Sequence, residues 1–294
     1  MADIIDAHHH IWRQDDLPWL AGPMLPRIFG PYEALRRDYP VAEFLADLES
    51  TGVTKSVYVQ ANWAPERFEN ETAWVQKTAD ETGWPHAIVG FADFMSEDVR
   101  PQLDRLAKYP LLRGIRQQIH WHENEAYRFA PHMDVAADAT FRRNIAHLGD
   151  YGLSFDLQVF PSQMHGAARL AEACPDVTLI LQHSGMLEDL SDAGREEWRT
   201  GMEFLAAQKN VVSKLSAFGT FIHRNDAAHI ADMVSQTVAM FGAARCLFGS
   251  NFPIEKLWCN YGDLIAAFQS AAETLPEADR RAIFHDTAAA VYRI

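Results

Sequence analysis

A formal net charge of −14 over 294 residues argues against nucleic acid and anionic membrane surfaces as partners, because both require a basic face. With 48% hydrophobic and 22% charged residues, the chain has ample material for one large core, and a single domain over 1–294 is expected. No basic-then-apolar leader pattern and no apolar stretch near the roughly 18 residues of a membrane span is present, so a cytoplasmic protein acting on a small molecule is expected.

The first apolar run, 4–8, leads into Asp6-Ala7-His8-His9-His10. Residues at i and i+2 on a strand share a face, so His8 and His10 converge while His9 points away. Imidazole is the commonest metal ligand, and such a pair is half of a metal site, needing a third ligand and a carboxylate from elsewhere. Alone, the triplet also fits a tag remnant or a polar strand end; its native-looking flanks and the preceding Ile4-Ile5 pair weigh against that. Seven more short apolar runs follow at 56–60, 87–91, 112–118, 154–159, 178–183, 211–215 and 245–249. Helical spacing appears between them, in Val41-Phe44-Leu45-Leu48, Trp74-Val75-Thr78-Ala79, Val99-Leu103-Leu106 and Phe141-Ile145-Leu148. It continues in Ala167-Leu170-Ala171, Trp198-Met202-Leu205 and Ile230-Met233-Val234-Val238, while Gly52, Gly83 and Gly152 fall where helices should stop. This alternation predicts an α/β fold with a parallel sheet, and eight units predict closure as a (β/α)8 TIM barrel. The rival, an open doubly wound sheet, lacks its Gly-rich turn: no G-x-G-x-x-G or G-x-x-x-x-G-K-[ST] occurs. A helix-like segment at 278–292 is expected to pack on the barrel's exterior.

Barrel enzymes build their sites at the C-terminal ends of the strands, and unusual polar residues collect there. Arg116 and Gln118 share a face of the fourth run, Asp156 and Gln158 end the fifth, and the sixth stops at His183. Lys214 and Ser216 follow on the seventh, and the eighth ends in Ser250-Asn251. Polar side chains inside a closed barrel are costly unless they meet a ligand or one another. Two connections exceed what packing requires: 11–40, with Trp12, Trp19, Phe29 and Tyr32, and 120–138, opened by His120 and Trp121. Both are read as pocket walls or a lid, with a homo-oligomer contact as the other use. Cys174, Cys246 and Cys259 lack C-x-x-C spacing, which argues against disulfides or structural zinc.

In order, Asp6 to Trp12, Arg113-Gly114-Ile115-Arg116, Phe155-Asp156-Leu157-Gln158, Gln182-His183-Ser184-Gly185 and Phe248 to Pro253 resemble motifs of the amidohydrolase superfamily. More closely, the chain resembles its amidohydrolase-related branch of metal-dependent TIM-barrel hydrolases, which includes sugar-acid lactonases and 2-pyrone-4,6-dicarboxylate lactonase. The resemblance covers nearly the whole chain and implies a hydrolase that opens a lactone ring. It implies His8, His10 and His183 as metal ligands and active-site residues, with Asn251 in the place of the aspartate that usually acts as general base. Arg113 or Arg116 would bind a substrate carboxylate, since a guanidinium fork matches it, with Gln118, Gln158, His120 and Trp121 as further substrate contacts. No lysine or histidine stands at the strand-five position of the second-metal ligand, where Gln158 is nearby, so at most one divalent ion, zinc or manganese, is implied, held weakly or not at all. A carboxamide orients water but takes no proton; His183, Glu255, Glu66 or a more activated substrate are the alternatives at that step. Two other functions stay open beside lactone hydrolysis: a metal-dependent decarboxylase of an aromatic acid, and an impaired barrel that only binds a carboxylate.

Overall fold

Strands that are apolar on both faces need cover on both, and a parallel sheet wrapped in helices provides it. A computed structural model describes residues 3–294, and among them eight strands pair in parallel in chain order. They are β1 (Ile4–His9), β2 (Val53–Val59), β3 (Ala87–Gly90), β4 (Leu112–Ile115), β5 (Ser154–Leu157), β6 (Leu179–Leu181), β7 (Val211–Leu215) and β8 (Cys246–Phe248). Closure comes from the residues after β8: Asn251 N–H donates to the His8 carbonyl and His10 N–H to the Phe252 carbonyl, each at 2.7 Å. The result is the expected (β/α)8 barrel.

The outer helices are α1 (Val41–Asp47), α2 (Phe68–Thr82), α3 (Arg100–Leu106), α4 (Ala139–Ala146), α5 (Met164–Ala173), α6 (Asp192–Ala206), α7 (Ala227–Phe241) and α8 (Tyr261–Ala271). Several start on a side-chain cap that satisfies a free N–H: Asp138 for α4, Ser191 for α6, Asp226 for α7 and Asn260 for α8. Gly83 ends α2 in the left-handed conformation, φ 78°, which glycine adopts without a Cβ clash. No helix of the described residues is long and apolar enough to cross a membrane.

Three expectations needed correction. β4 stops at Ile115 and β6 at Leu181, so Arg116, Gln118, Gln182 and His183 lie beyond the paired strands, where the chain turns toward the barrel mouth. The spacing through Leu148 spans two elements, because α4 ends at Ala146 and a separate turn covers Leu148–Tyr151. The 278–292 segment packs on the exterior only in its first part, where Ile283 and Phe284 join the cluster of Phe248 and Phe268; Ala288 and Tyr292 instead are buried in one apolar cluster with Ile5, Ala7, Val57, Val59, Val89, Ile180 and Leu247. An open barrel floor leaves that interior face wet, and the helix Thr287–Tyr292 seals it.

Candidate active site

Asp6 welds the first strand to the last. Its Oδ1 accepts the Ser250 N–H (2.8 Å) and the His8 N–H (3.0 Å), and its Oδ2 accepts the Ser250 hydroxyl (2.6 Å) and the Tyr261 hydroxyl of α8 (3.0 Å). Burial pushes its carboxyl up to about 6, against the pull of those donors. Asp6 therefore points outward and Ala7 inward, and the β1–β2 register breaks between Asp6 and His9. Past that break His8 and His10 come together, ring centroids 5.1 Å apart. His9 faces the helices and stacks on Phe44 of α1 at 3.9 Å. Gly249 makes the approach of β8 possible, since a Cβ there would lie 2.6 Å from the His8 Cβ.

The third imidazole arrives from beyond β6. His183 and Ser184 both take left-handed φ values, 56° and 44°, and the His183 ring centroid stands 4.9 Å from that of His8. Its Nδ1 pairs with the Ser216 hydroxyl at 2.8 Å, and His10 Nδ1 donates to the Val59 carbonyl at 2.6 Å. Both rings thus keep Nε2 for the cavity, whereas neither nitrogen of buried His8 has a partner. Burial is the main reason all three imidazoles stay well below their usual pKa; Lys214 adds to it at His8, and Arg116 at His10 and His183. The three are therefore neutral lone-pair donors at neutral pH.

These groups open into a cavity of about 760 Å³, counted to its mouth. Arg116, Gln118, Gln158, His120, His10, His183 and Asn251 line it. Arg116 is buried, with one Nη donating to the Gln60 carbonyl and Nε without a partner; burial lowers its guanidinium to about 10. Gln118 donates to Gln158 Oε1 at 3.3 Å. Burial also drops His120 to about 3. Below them a buried Lys214–Asp156 pair at 2.9 Å, shared with Gln182, closes the polar interior. Both long connections contribute wall: Trp12, Trp19 and Phe29 from the first, Tyr127 and Phe129 from the second. Among the described residues no aspartate or glutamate lines this cavity.

Two expected contacts lie elsewhere. Arg113 starts β4 and donates to the Pro110 and Leu112 carbonyls at 2.7 and 2.8 Å; it precedes Arg116 by about 10 Å of strand, at the end away from the mouth. Trp121 is turned out of the cavity, its ring 4.9 Å from the Arg128 guanidinium, while its backbone N–H donates to Gln163 Oε1 at 2.8 Å. Conversely, Arg27, Thr220 and Phe221 line the cavity without having been expected there. Arg27 comes from a loop without periodicity, and Thr220 from the short helix Phe218–Ile222 behind β7. Of the carboxylates considered for the Asn251 step, Glu66 is exposed and Glu255 is fully buried against Thr220.

The imidazoles supply ligand chemistry for a divalent ion, and the orphaned His8 nitrogens are its clearest sign. The set nonetheless carries no negative charge, and Arg116 and Lys214 act on it from close by. Among the described residues no group of three or more His, Cys, Asp or Glu is disposed to enclose an ion. Three imidazoles are the ligand number of a catalytic zinc site, and they bring no charge to offset the ion's.

Similarity to known proteins agrees with this arrangement. An uncharacterized protein of Sinorhizobium fredii is 36% identical over 293 residues, covering 99% of this chain and 98% of the relative. An L-fucono-1,5-lactonase of Burkholderia ambifaria is 27% identical over 295 residues, covering 99% and 95%. A solved amidohydrolase from Burkholderia multivorans with bound zinc superposes at TM-score 0.83 with 28% identity, covering all of both chains. The sequence model of the amidohydrolase family matches residues 5–294, and the chain belongs to that family.

Proposed function

We propose that this protein, a single-domain cytoplasmic enzyme, hydrolyses the lactone of a small carboxylated or sugar-acid substrate. The carrying observation is the cavity itself: free of aspartate and glutamate, it holds Arg116 and Arg27 beside the neutral imidazoles of His10, His120 and His183 and beside Asn251. Such a lining favours an anion over a cation, and in a dry pocket a guanidinium bond is worth more than in water. The L-fucono-1,5-lactonase relative supports a sugar-acid lactone as the first class to test.

Arg116 binds the substrate carboxylate with its unpartnered Nε and the edge of its fork, while Gln118 and Gln158 take hydroxyl groups. The indoles of Trp12 and Trp19 and the Phe29 ring cover the sugar face and exclude water. Because Asn251 Nδ2 is committed to Thr220 Oγ1 at 3.1 Å, Oδ1 is left to accept a hydrogen bond from the attacking water. His120 lines the same cavity and can offer the developing oxyanion an N–H in one of its tautomers. A zinc or manganese ion held by His8, His10 and His183 would polarise the lactone carbonyl.

The test is acid release at neutral pH from a panel of sugar lactones and pyrone dicarboxylates, with and without added zinc or manganese. Turnover that is lost in His183→Ala supports the reading. Carbon dioxide release from hydroxybenzoates, or ligand-induced thermal shifts with no turnover in either lactone class, overturns it.

A further inference from the structure

Water attack on a carbonyl releases a proton, and no carboxylate in the cavity wall can take it. One stands directly behind the wall. Asn251 Nδ2 donates to Thr220 Oγ1 at 3.1 Å, and the Thr220 hydroxyl donates to Glu255 Oε1. Asn251 and Thr220 line the cavity, and Glu255 is fully buried behind them. The direction of this chain is fixed by chemistry, since a carboxamide nitrogen only donates. While Glu255 is ionised the hydroxyl hydrogen therefore points to it, and one Oγ1 lone pair remains for a water. The packing is tight: a Cβ at Gly219 would lie 2.4 Å from Glu255 Oε2.

We propose that Glu255 receives the proton of the attacking water through the Thr220 hydroxyl, in place of the strand-eight aspartate that Asn251 replaces. This rests on the hydrolytic reading above. The water oxygen bonds to the carbonyl carbon as one of its O–H bonds breaks, and the carbonyl π pair moves to oxygen. The released proton passes to Thr220 Oγ1 while the Thr220 proton passes to Glu255 Oε1. When the oxyanion collapses, the ring C–O bond breaks and the leaving alkoxide takes a proton back along the same path. Glu255 is ionised again and the product is the hydroxy acid. Thr220 touches the reacting water; Glu255 acts through it.

The surroundings suit a proton sink. Burial pushes the Glu255 carboxyl up to about 7, opposed by bonds from Thr220, Asn251 and Gly219. The other titratable groups around it are engaged elsewhere or remote: Lys256 with Glu43 and Asp47, Arg224 with Asp226, and His223 with the Ile28 carbonyl. The Cys259 thiol donates to the Glu255 backbone carbonyl, and Glu33, on the turn packed alongside, is exposed.

The experiment compares wild type, Glu255→Gln, Thr220→Val and Thr220→Ser by pH-resolved kinetics and by infrared titration of the buried carboxyl, with melting curves to confirm folding. Glu255→Gln and Thr220→Val should each lose about 10² to 10⁴-fold in kcat, with KM within about threefold. Thr220→Ser should recover most of it. The acidic limb near pH 7 should be present in wild type and Thr220→Ser and absent from the residual rate of Glu255→Gln. Because buried Asp6 and Glu71 are raised to a similar range, the Glu255 band is read as the difference between each protein and its Glu255→Gln counterpart; it should titrate near pH 7 and shift upward in the Thr220→Val background, which removes a donor to the ionised form. Active Glu255→Gln with an unchanged pH profile overturns the relay while leaving lactone hydrolysis intact. A band that Thr220→Val does not move overturns it whatever the substrate screen returns.

Discussion

Replacing Arg116 with methionine separates binding from folding. Methionine keeps most of the apolar stem and removes the guanidinium. In the fold, the change deletes one donor to the Gln60 carbonyl and also relieves a buried cation whose pKa burial already lowers to about 10. The lost hydrogen bond, about 1 kcal/mol, and the relieved desolvation oppose each other, so the melting temperature should move little. In the complex, the loss is a charge-assisted bond to a desolvated carboxylate, about 1.5–3 kcal/mol, or about ten- to a hundredfold in KM. An uncharged lactone of similar size should lose far less, so the ratio of the two KM changes is the sensitive quantity. Steady-state kinetics on the matched pair, with thermal melts on the same preparations, make the measurement. Unchanged kinetics with a clear drop in melting temperature would make Arg116 structural and remove the anion-binding argument.

Stability should peak near about pH 6.5. His8, His9, His10, His120 and His183 have folded pKa values below their unfolded ones, so their contribution is complete above about 6.5 and is lost on acidification. Asp6, Glu71 and Glu255 are raised to about 6, 7 and 7, so theirs is complete below the unfolded values and is lost as pH rises through 6 to 7. Melting curves that rise from pH 6.5 down to pH 5 would contradict this balance. Gly249→Ala drives a Cβ into His8 and should cost about 1–3 kcal/mol in denaturant titrations. It should also reduce kcat through a displaced imidazole; wild-type values for both would show that the contact relaxes freely. Exhaustive dialysis against a chelator should strip any ion, and zinc should raise the melting temperature only at high free concentration, as expected for a weak site. One equivalent of metal retained after chelation would refute the weak-site reading.

The strands were legible because a two-sided parallel strand reads as an uninterrupted apolar run, and β3, β6 and β8 contain little else. Their ends were not. Leu112 to Gln118 alternates like a strand, yet pairing stops at Ile115, because the loop takes over where Arg116 turns to the Gln60 carbonyl. Sequence alone left Arg113 and Arg116 as equal candidates; which one reaches the mouth is decided by distance along the strand. The convergence of His8 and His10 was legible, although the register break that delivers them was not. His183 and Asn251 reach the cavity through left-handed φ values, 56° and 58°, which such residues adopt only when the surroundings impose it. Thr220 follows Ala217, another left-handed residue at φ 57°, so no count of strand or helix periods leads to it. Helix α8 has apolar Leu264, Ile265 and Phe268 on its buried face, and a periodicity count extended to that stretch finds it.

The seal at the barrel floor bears on how the protein comes to exist. Tyr292 and Ala288 touch an interior made by strands from both ends of the sequence, and β1 gains its second neighbour only once the residues after β8 are in place. A ribosome adding roughly 5–20 residues per second must release the chain through Tyr292 before this apolar face can be covered. The apolar floor of the nascent barrel thus stays uncovered until translation has passed Tyr292, and closure of the barrel is expected only then. A missense change at Ala288 or Tyr292 should therefore appear as poor yield and chaperone dependence, with normal turnover in the molecules that mature.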